Sequence, residues 1–259
     1  MSLCILNVVN KQYQKYIPFY VFFSLKLYPT YGIKVISLDE MNKKYVEIIK
    51  ELEEMGDFVL IEDRKQFNRN EIKSYRWLQD KKLFDGYDYG YIGDIDILLC
   101  EENIPLLEQH LHHSNDEGLC YSNSVRPNSK RMSGLHFFHV DTYYEKMESC
   151  ILKYKKMLFD GKLKNRKNEE LLYQMINEVG LGVSTKWFRP HHGLHLRLWQ
   201  KSNPNLTRVL SDDDYCRYFR YFLKIENDDL FQKIFRVTPL EEITQMKIHL
   251  TKLCKECYL

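Results

Sequence analysis

Short apolar runs alternate with longer stretches whose apolar residues recur every three or four positions. Cys4 to Val9 is an apolar run ending at Asn10-Lys11-Gln12, which predicts a buried strand feeding a loop. Tyr16 to Leu27 carries apolar residues at helical spacing and is closed by Pro29 and Gly32, so a helix is expected there. Ile33 to Leu38 predicts a second strand, residues 41–55 a second helix stopping at Gly56, and Phe58 to Ile61 a third strand. Ile72 to Leu83 is expected to be helical. Tyr89 to Ile92 reads as a strand running straight into Gly93-Asp94-Ile95-Asp96. This alternation predicts an α/β fold with a mostly parallel central sheet covered by helices.

Past residue 100 the pattern loosens. Ile104 to His113 predicts a helix with Pro105 in its first turn, Leu135 to Val140 a strand, and Asp141 to Phe159 a long helix closed by Gly161. A polar, basic loop over Lys162 to Asn168 precedes a helix expected from Glu169 to Glu178. Ser211 and the three aspartates after it form an N-cap and an acidic first turn, and Thr238-Pro239-Leu240-Glu241 repeats that start signal. We therefore expect a main domain over 1–200 and a helical C-terminal extension over 201–259.

Composition narrows the function classes. With 44% hydrophobic residues the chain can bury a sizeable core, which excludes a disordered protein. A net charge of +2 supplies no field for nucleic-acid binding, so no such partner is expected. No run of about 18 apolar residues occurs, and no basic segment precedes the first apolar run. The chain is expected to be soluble and cytoplasmic, with peripheral association at the inner membrane face left open. Its seven cysteines read as reduced thiols; Cys254-x-x-Cys257, with His249 the only further ligand nearby, falls short of a structural zinc site.

Two stretches carry candidate chemistry. Asp94 and Asp96 leave the end of a buried strand one residue apart, and paired hard carboxylates suit Mn²⁺ or Mg²⁺. Arg189 to Trp199 packs His191, His192, His195, Gly193, Arg197 and a tryptophan into eleven residues, where imidazole can ligate a metal and Arg197 can fork onto phosphate oxygens. Other features have bland readings. His110, His112 and His113 are expected to be solvated on a polar helix end. Asp212 to Asp214 read as a helix start, and Arg217 to Phe222 as a helix packing its aromatics on the main domain.

Taken in order, Ile5 to Tyr13, Tyr75-Arg76-Trp77-Leu78, Tyr89 to Asp96, Ser133 to Phe138, Asn168 to Leu172 and His191 to Trp199 resemble family 8 glycosyltransferases of the GT-A fold, the group of glycogenin and the lipopolysaccharide galactosyltransferases. The resemblance implies that Asp94, Asp96 and His191 hold Mn²⁺ (or Mg²⁺), with His191 favoured over His192. It implies that Asn10 and Tyr13 hold the nucleotide, Tyr13 by stacking on the base, that Arg76 reaches the donor, and that Arg197 stands where the family has a phosphate-binding lysine. Glu169 occupies the place near the anomeric carbon where the family carries Gln, with Glu170 beside it as a second candidate for catalysis. The first loop reads Asn10-Lys11-Gln12 where the family is rich in Asp, and Leu198 replaces the usual proline. The implied activity is metal-dependent transfer of a hexose from a nucleotide sugar, a UDP-sugar by analogy, to a glycan or lipid-linked acceptor, with retention of configuration. A sugar nucleotidyltransferase and a catalytically inactive nucleotide- or glycan-binding relative remain as alternatives.

Overall fold

The computed structural model describes residues 1–65, 67–163, 168–184, 193–199 and 212–257. In chain order the first half runs β1 (Leu3–Val9), α1 (Ile17–Leu27), β2 (Gly32–Ser37), α2 (Val46–Met55), β3 (Phe58–Glu62), α3 (Arg69–Tyr75), β4 (Tyr89–Ile92) and β5 (Ile97–Leu99). The second half runs α4 (Leu106–Asp116), β6 (Tyr121–Ser122), β7 (His136–His139), α5 (Val140–Phe159), α6 (Asn168–Glu178), β8 (Gly193–His195), α7 (Asp212–Ile225), α8 (Asp229–Val237) and α9 (Glu241–Cys257). Six strands form one sheet in the order β3-β2-β1-β4-β7-β6, while β5 and β8 pair in a separate two-stranded ribbon. Strands β1 to β4 are mutually parallel and β7 runs antiparallel to β4, so the expected mostly parallel α/β architecture is present.

Both faces of this sheet are covered, which is why β1 reads as an apolar run interrupted only by the buried Asn7 rather than as an alternating one. Leu3, Ile5 and Val9 point to one face, against α1 and α2, while Cys4 and Leu6 point to the other, against α5 and α6. Helix α1 is buried on every residue from Ile17 to Leu25, because the sheet lies on one side of it and the C-terminal helices on the other. The rings of Phe19, Phe22 and Phe23 on α1 meet Phe231 of α8 at centroid distances of 5.9, 5.9 and 6.3 Å. The expected packing role of Arg217 to Phe222 is observed: Tyr218, Tyr221 and Phe222 are buried in the same core as α1. Among the described residues no helix is long and apolar enough to cross a membrane.

Arg217 and Tyr218 also fasten α7 to the loop after β5. The Tyr218 hydroxyl donates to Glu102 Oε1, and Arg217 Nη2 donates to Glu102 Oε2 at 2.9 Å. Burial pushes the Glu102 carboxyl up to about 7, against the lowering pull of Tyr218 and Arg217. A folded-state value above the unfolded one means that this group's stabilising contribution is complete below about pH 4.5 and is lost as pH rises through 7. Unfolding stability should accordingly fall by up to about 3 kcal/mol over that window. Glu102→Gln should flatten the dependence. Urea titrations at intervals between pH 4.5 and 8 read this directly, and parallel curves for the two proteins would refute it.

Some elements differ from the sequence expectation. The helix expected over Ile72 to Leu83 ends at Tyr75, where Gln79 Nε2 donates to the Tyr75 carbonyl at 2.6 Å and turns the chain before a separate 3-10 turn, Lys81–Phe84. The strand expected to Val140 stops at His139, because Val140 already opens α5. His110 and His113 are buried rather than solvated: both Nδ1 atoms reach the Ser122 hydroxyl, at 2.8 and 2.9 Å, and the His110 ring stacks on Phe137. Of that trio only His112 is exposed.

Candidate active site

Strand β1 leads to β2 and β3 on one side, and β4 takes up its other side, so the chain reverses its direction of growth between β1 and β4. Ligands of open parallel sheets bind beyond the carboxyl ends of strands at such a point. A cavity of about 280 Å³ opens there, lined by the ends of β1 (Val8 to Asn10) and of β4 (Gly93 to Asp96), by Gln12, Tyr13, Ile72, Lys73 and Arg76, and by Asn168, Glu169, His195 and Arg197. Eight residues singled out from the sequence thus share one cavity: Asn10, Tyr13, Arg76, Asp94, Asp96, Glu169, His195 and Arg197. Glu170 does not join them. It lies on another surface of α6, beside Lys130, Tyr173 and Gln174. His191 and His192 lie outside the described residues.

The tight Asp94–Ile97 turn, closed by Ile97 N–H on the Asp94 carbonyl at 3.1 Å, buries Ile95 and leaves both carboxylates facing the cavity. Asp94 is paired with Arg76, whose Nε donates to Asn168 Oδ1 at 3.3 Å and whose guanidinium lies 4.2 Å from the Trp77 ring centroid. The Trp77 indole N–H donates to the same Asn168 oxygen, so one amide from the start of α6 orients two residues from the end of α3. Gly134 packs on this pair. A Cβ there would stand 3.1 Å from Asp94 Oδ2 and 3.3 Å from Arg76 Nη2. Beneath lies His136, fully buried; burial, reinforced by the Arg76 charge, drives its imidazole down to about 3, so the ring is neutral.

Asp96 is only 8% exposed, and its Oδ2 lies 3.5 Å from His195 Nε2 and 4.0 Å from Arg197 Nε. Both partners arrive through the β5–β8 ribbon, in which Ile97 faces His195 and Leu99 faces Gly193. Gly193 is required: at φ 152° it holds backbone that side-chain-bearing residues rarely adopt, and a Cβ there would lie 1.6 Å from the Leu98 carbonyl oxygen. The Leu196 amide then donates to the Asp96 carbonyl at 2.8 Å, binding the ribbon to the acidic turn. Across the mouth, Arg197 Nη1 donates to the Tyr13 hydroxyl at 3.0 Å. The loop carrying Tyr13 is shaped by the Lys11 amide on Asp39 at 2.6 Å and by Gln14, whose side chain reaches the Ser37 hydroxyl at 3.0 Å. The nearby Asn10 Oδ1 is buried and finds no hydrogen-bond partner among the described residues.

Glu169 faces two guanidinium groups, Arg131 at 3.0 Å and Arg126 at 3.5 Å. Burial acts to raise its carboxyl, but the Arg131 hydrogen bond, its own backbone N–H and the Arg76 and Arg126 charges outweigh it and hold the group below the usual carboxylate range. Two hard carboxylates lining one cavity, with the His195 imidazole 3.5 Å from Asp96, are the donor chemistry that suits a divalent cation such as Mn²⁺ or Mg²⁺. Among the described residues no three His, Cys, Asp or Glu donors converge on one point.

The sequence suggests no role for Asn168, although it opens a stretch that carries the resemblance, nor for Arg126 or Arg131, and the resemblance puts the third metal ligand at His191 rather than His195. The sequence carried no periodic signal for His195, because β8 is three residues long; the ring faces the site because Leu194 and Leu196 on either side of it are buried.

No family model and no curated protein sequence matches the chain. Among solved structures it is similar to the galactosyltransferase LgtC in complex with donor and acceptor sugar analogs, at 13% identity over 65% of this chain and 69% of that one, with a TM-score of 0.44. It is also similar to a protein from Desulfovibrio desulfuricans assigned as a nucleotide-diphospho-sugar transferase, at 17% identity over 90% of this chain and 99% of that one (TM-score 0.44). A third similar structure is the apo-form glycosyltransferase GlyE of Streptococcus pneumoniae, at 10% identity over 97% of this chain and 64% of that one (TM-score 0.49). These likenesses concern the fold alone, a mostly parallel sheet clothed by helices.

Proposed function

We propose that the chain is a GT-A-type glycosyltransferase that moves a hexose from a nucleotide diphosphate sugar, a UDP-sugar by analogy with the family it resembles, to a glycan or lipid-linked acceptor. The observation that carries this reading is the single cavity at the reversal point of the sheet, where Asp94, Asp96, Arg76, Arg197, Tyr13 and Asn10 stand together. Asp94 and Asp96 are the residues to hold Mn²⁺ or Mg²⁺, with His195, or His191, as a further ligand. When bound, such a cation neutralises the charge that develops on a leaving diphosphate.

The chain's own residues divide the remaining work. Arg197 presents a planar fork to phosphate oxygens and, by its bond to Tyr13, joins the phosphate end of the site to the base end. Tyr13 offers a ring face for stacking, and Asn10 an unspent amide oxygen for a nucleotide donor group. Arg76, held by Asp94 and Asn168, lines the cavity, and by the resemblance we assign it to the donor. Glu169 is charged and shared between two arginines, so it is better suited to fixing the wall near the anomeric carbon than to freeing an electron pair for attack. Retention is then carried by the family resemblance, with the leaving phosphate oxygen rather than Glu169 taking the acceptor's proton. We assign Glu170 no catalytic part, because it faces away from the cavity.

Thermal shifts with UDP, GDP, CDP and ADP, each with and without Mn²⁺, test the reading. UDP is expected to stabilise the protein only when Mn²⁺ is present, by about 2.7 kcal/mol at a hundred times its dissociation constant. Another nucleotide acting in its place would change the donor; a nucleoside triphosphate consumed with a sugar phosphate would mark a nucleotidyltransferase. No shift with any nucleotide would overturn the assignment in favour of an inactive relative.

A further inference from the structure

Glu242, in the first turn of α9, is a buried carboxylate far along the chain from every residue of the cavity. Its Oε1 accepts a hydrogen bond from the Tyr16 hydroxyl at 2.9 Å and from Lys15 Nζ at 3.2 Å. Burial and the adjoining Glu242 charge raise the Tyr16 phenol, so it stays a donor at neutral pH. Tyr16 belongs to the 3-10 turn that carries the mouth of the site: its amide donates to the Tyr13 carbonyl at 3.0 Å, and the Tyr13 amide donates in turn to the Asn10 carbonyl at 2.9 Å. The two tyrosine rings pack at 5.8 Å between centroids. The same helix grips the opposite wall. Met246 and Leu250 of α9 share a core with Leu194 and Leu196, which flank His195 and precede Arg197. Thus α9 touches both segments that meet at the Arg197–Tyr13 bond.

We propose that Glu242 is a positioning residue for nucleotide binding: through Tyr16 it sets the place of the Tyr13 ring, making the C-terminal helix a structural part of the nucleotide subsite. This deepens the proposed function and rests on it for the identity of the ligand, although the placement of Tyr13 can be read without any ligand. A turn of three residues has little rigidity of its own, and a carboxylate already desolvated by the fold is a stiff anchor for a hydroxyl donor.

The test uses the full chain with Glu242→Ala, Glu242→Gln and Tyr16→Phe. UDP with Mn²⁺ is titrated by calorimetry, and a fluorotyrosine placed at position 13 alone is followed by fluorine NMR. Glu242→Ala and Tyr16→Phe should each weaken UDP about tenfold, the worth of one charge-assisted hydrogen bond, and should move or broaden the position-13 resonance. In steady state the loss should appear in KM with kcat within twofold. Glu242→Gln, which keeps an acceptor oxygen for Tyr16, should stay within about threefold of wild type. An unmoved resonance with unchanged affinity in Tyr16→Phe would overturn the proposal, as would a Gln variant as weak as the Ala variant. Tyr16→Phe decides the matter should Glu242→Ala fail to fold. Wild-type protein that binds no nucleotide would refute the proposed function instead, and the resonance at position 13 would still report on Glu242.

Discussion

Asp96→Asn should lower turnover by about a hundred- to a thousandfold, equivalent to about 3–4 kcal/mol of lost transition-state stabilisation. Three observations converge on that residue. Its side chain is nearly buried, its Oδ2 faces His195 and Arg197, and its backbone carbonyl receives the Leu196 amide. Asn keeps the shape and removes the charge, so the acidic turn and the β5–β8 ribbon should persist while the hold on a divalent cation weakens. Single-turnover assays with a UDP-sugar check the rate, and Mn²⁺ titration checks the cause, with affinity expected to fall in step. Turnover within tenfold of wild type would remove Asp96 from the metal site. Asp94 is a less clean target, because Arg76 depends on it as a partner; Asp94→Asn leaves that buried guanidinium without its carboxylate, and lost activity would then mix metal binding with displacement of Arg76.

The largest expected effect on stability lies in the aromatic core between α1 and the C-terminal helices. Phe231→Ala should cost about 3–5 kcal/mol, because the ring is fully enclosed and the surrounding aromatics cannot collapse into the space it leaves. It touches Phe19, Phe22 and Phe23 of α1, Phe222 of α7 at 5.7 Å and Phe235 at 6.3 Å, so the cavity would open where three helices meet. For a chain of this size the melting temperature should drop by roughly 10 °C. Because α1 shares this core with α7, α8 and α9, calorimetry should show one transition moving as a whole. A second, earlier transition would mean that the C-terminal helices unfold by themselves, and a loss under about 1 kcal/mol would mean that the cluster repacks.

Much of the architecture was legible from local signals. The strands β1, β2 and β4 were readable because each is buried on both faces and so appears as a short, mostly apolar run bounded by polar or glycine residues, and the edge strand β3 because Phe58 to Ile61 is apolar even though Val59 is 42% exposed. The helices α5 and α6 were readable from their 3.6-residue pattern and closing glycines. The short ribbon strands were not. Three residues give no periodicity, and β5 and β8 exist because they pair with each other across almost a hundred positions of chain. The burial of His110 and His113 was equally out of reach, since it depends on Ser122 of β6 and Phe137 of β7 being brought against α4.

The candidate site shows the same division at the level of single residues. Asp94 and Asp96 were singled out because two carboxylates at the end of a buried strand are chemically conspicuous without any knowledge of what surrounds them. Glu169 and Glu170 were both candidates in the sequence, yet adjacent residues of a helix point about 100° apart, and only the seating of α6 on α3 decides which one faces the cavity. The hold of Arg131 and Arg126 on Glu169, the bond between Arg197 and Tyr13, and the anchoring of Tyr16 by Glu242 join residues separated by 38 to 226 positions. The sequence by itself determined the α/β alternation, the helical character of the C-terminus and the chemical types available for a site, because periodicity and residue chemistry are properties of neighbours along the chain. Only the tertiary structure decided which of those groups share one cavity and which are turned away or neutralised, because charge pairing and burial depend on how the elements pack against one another.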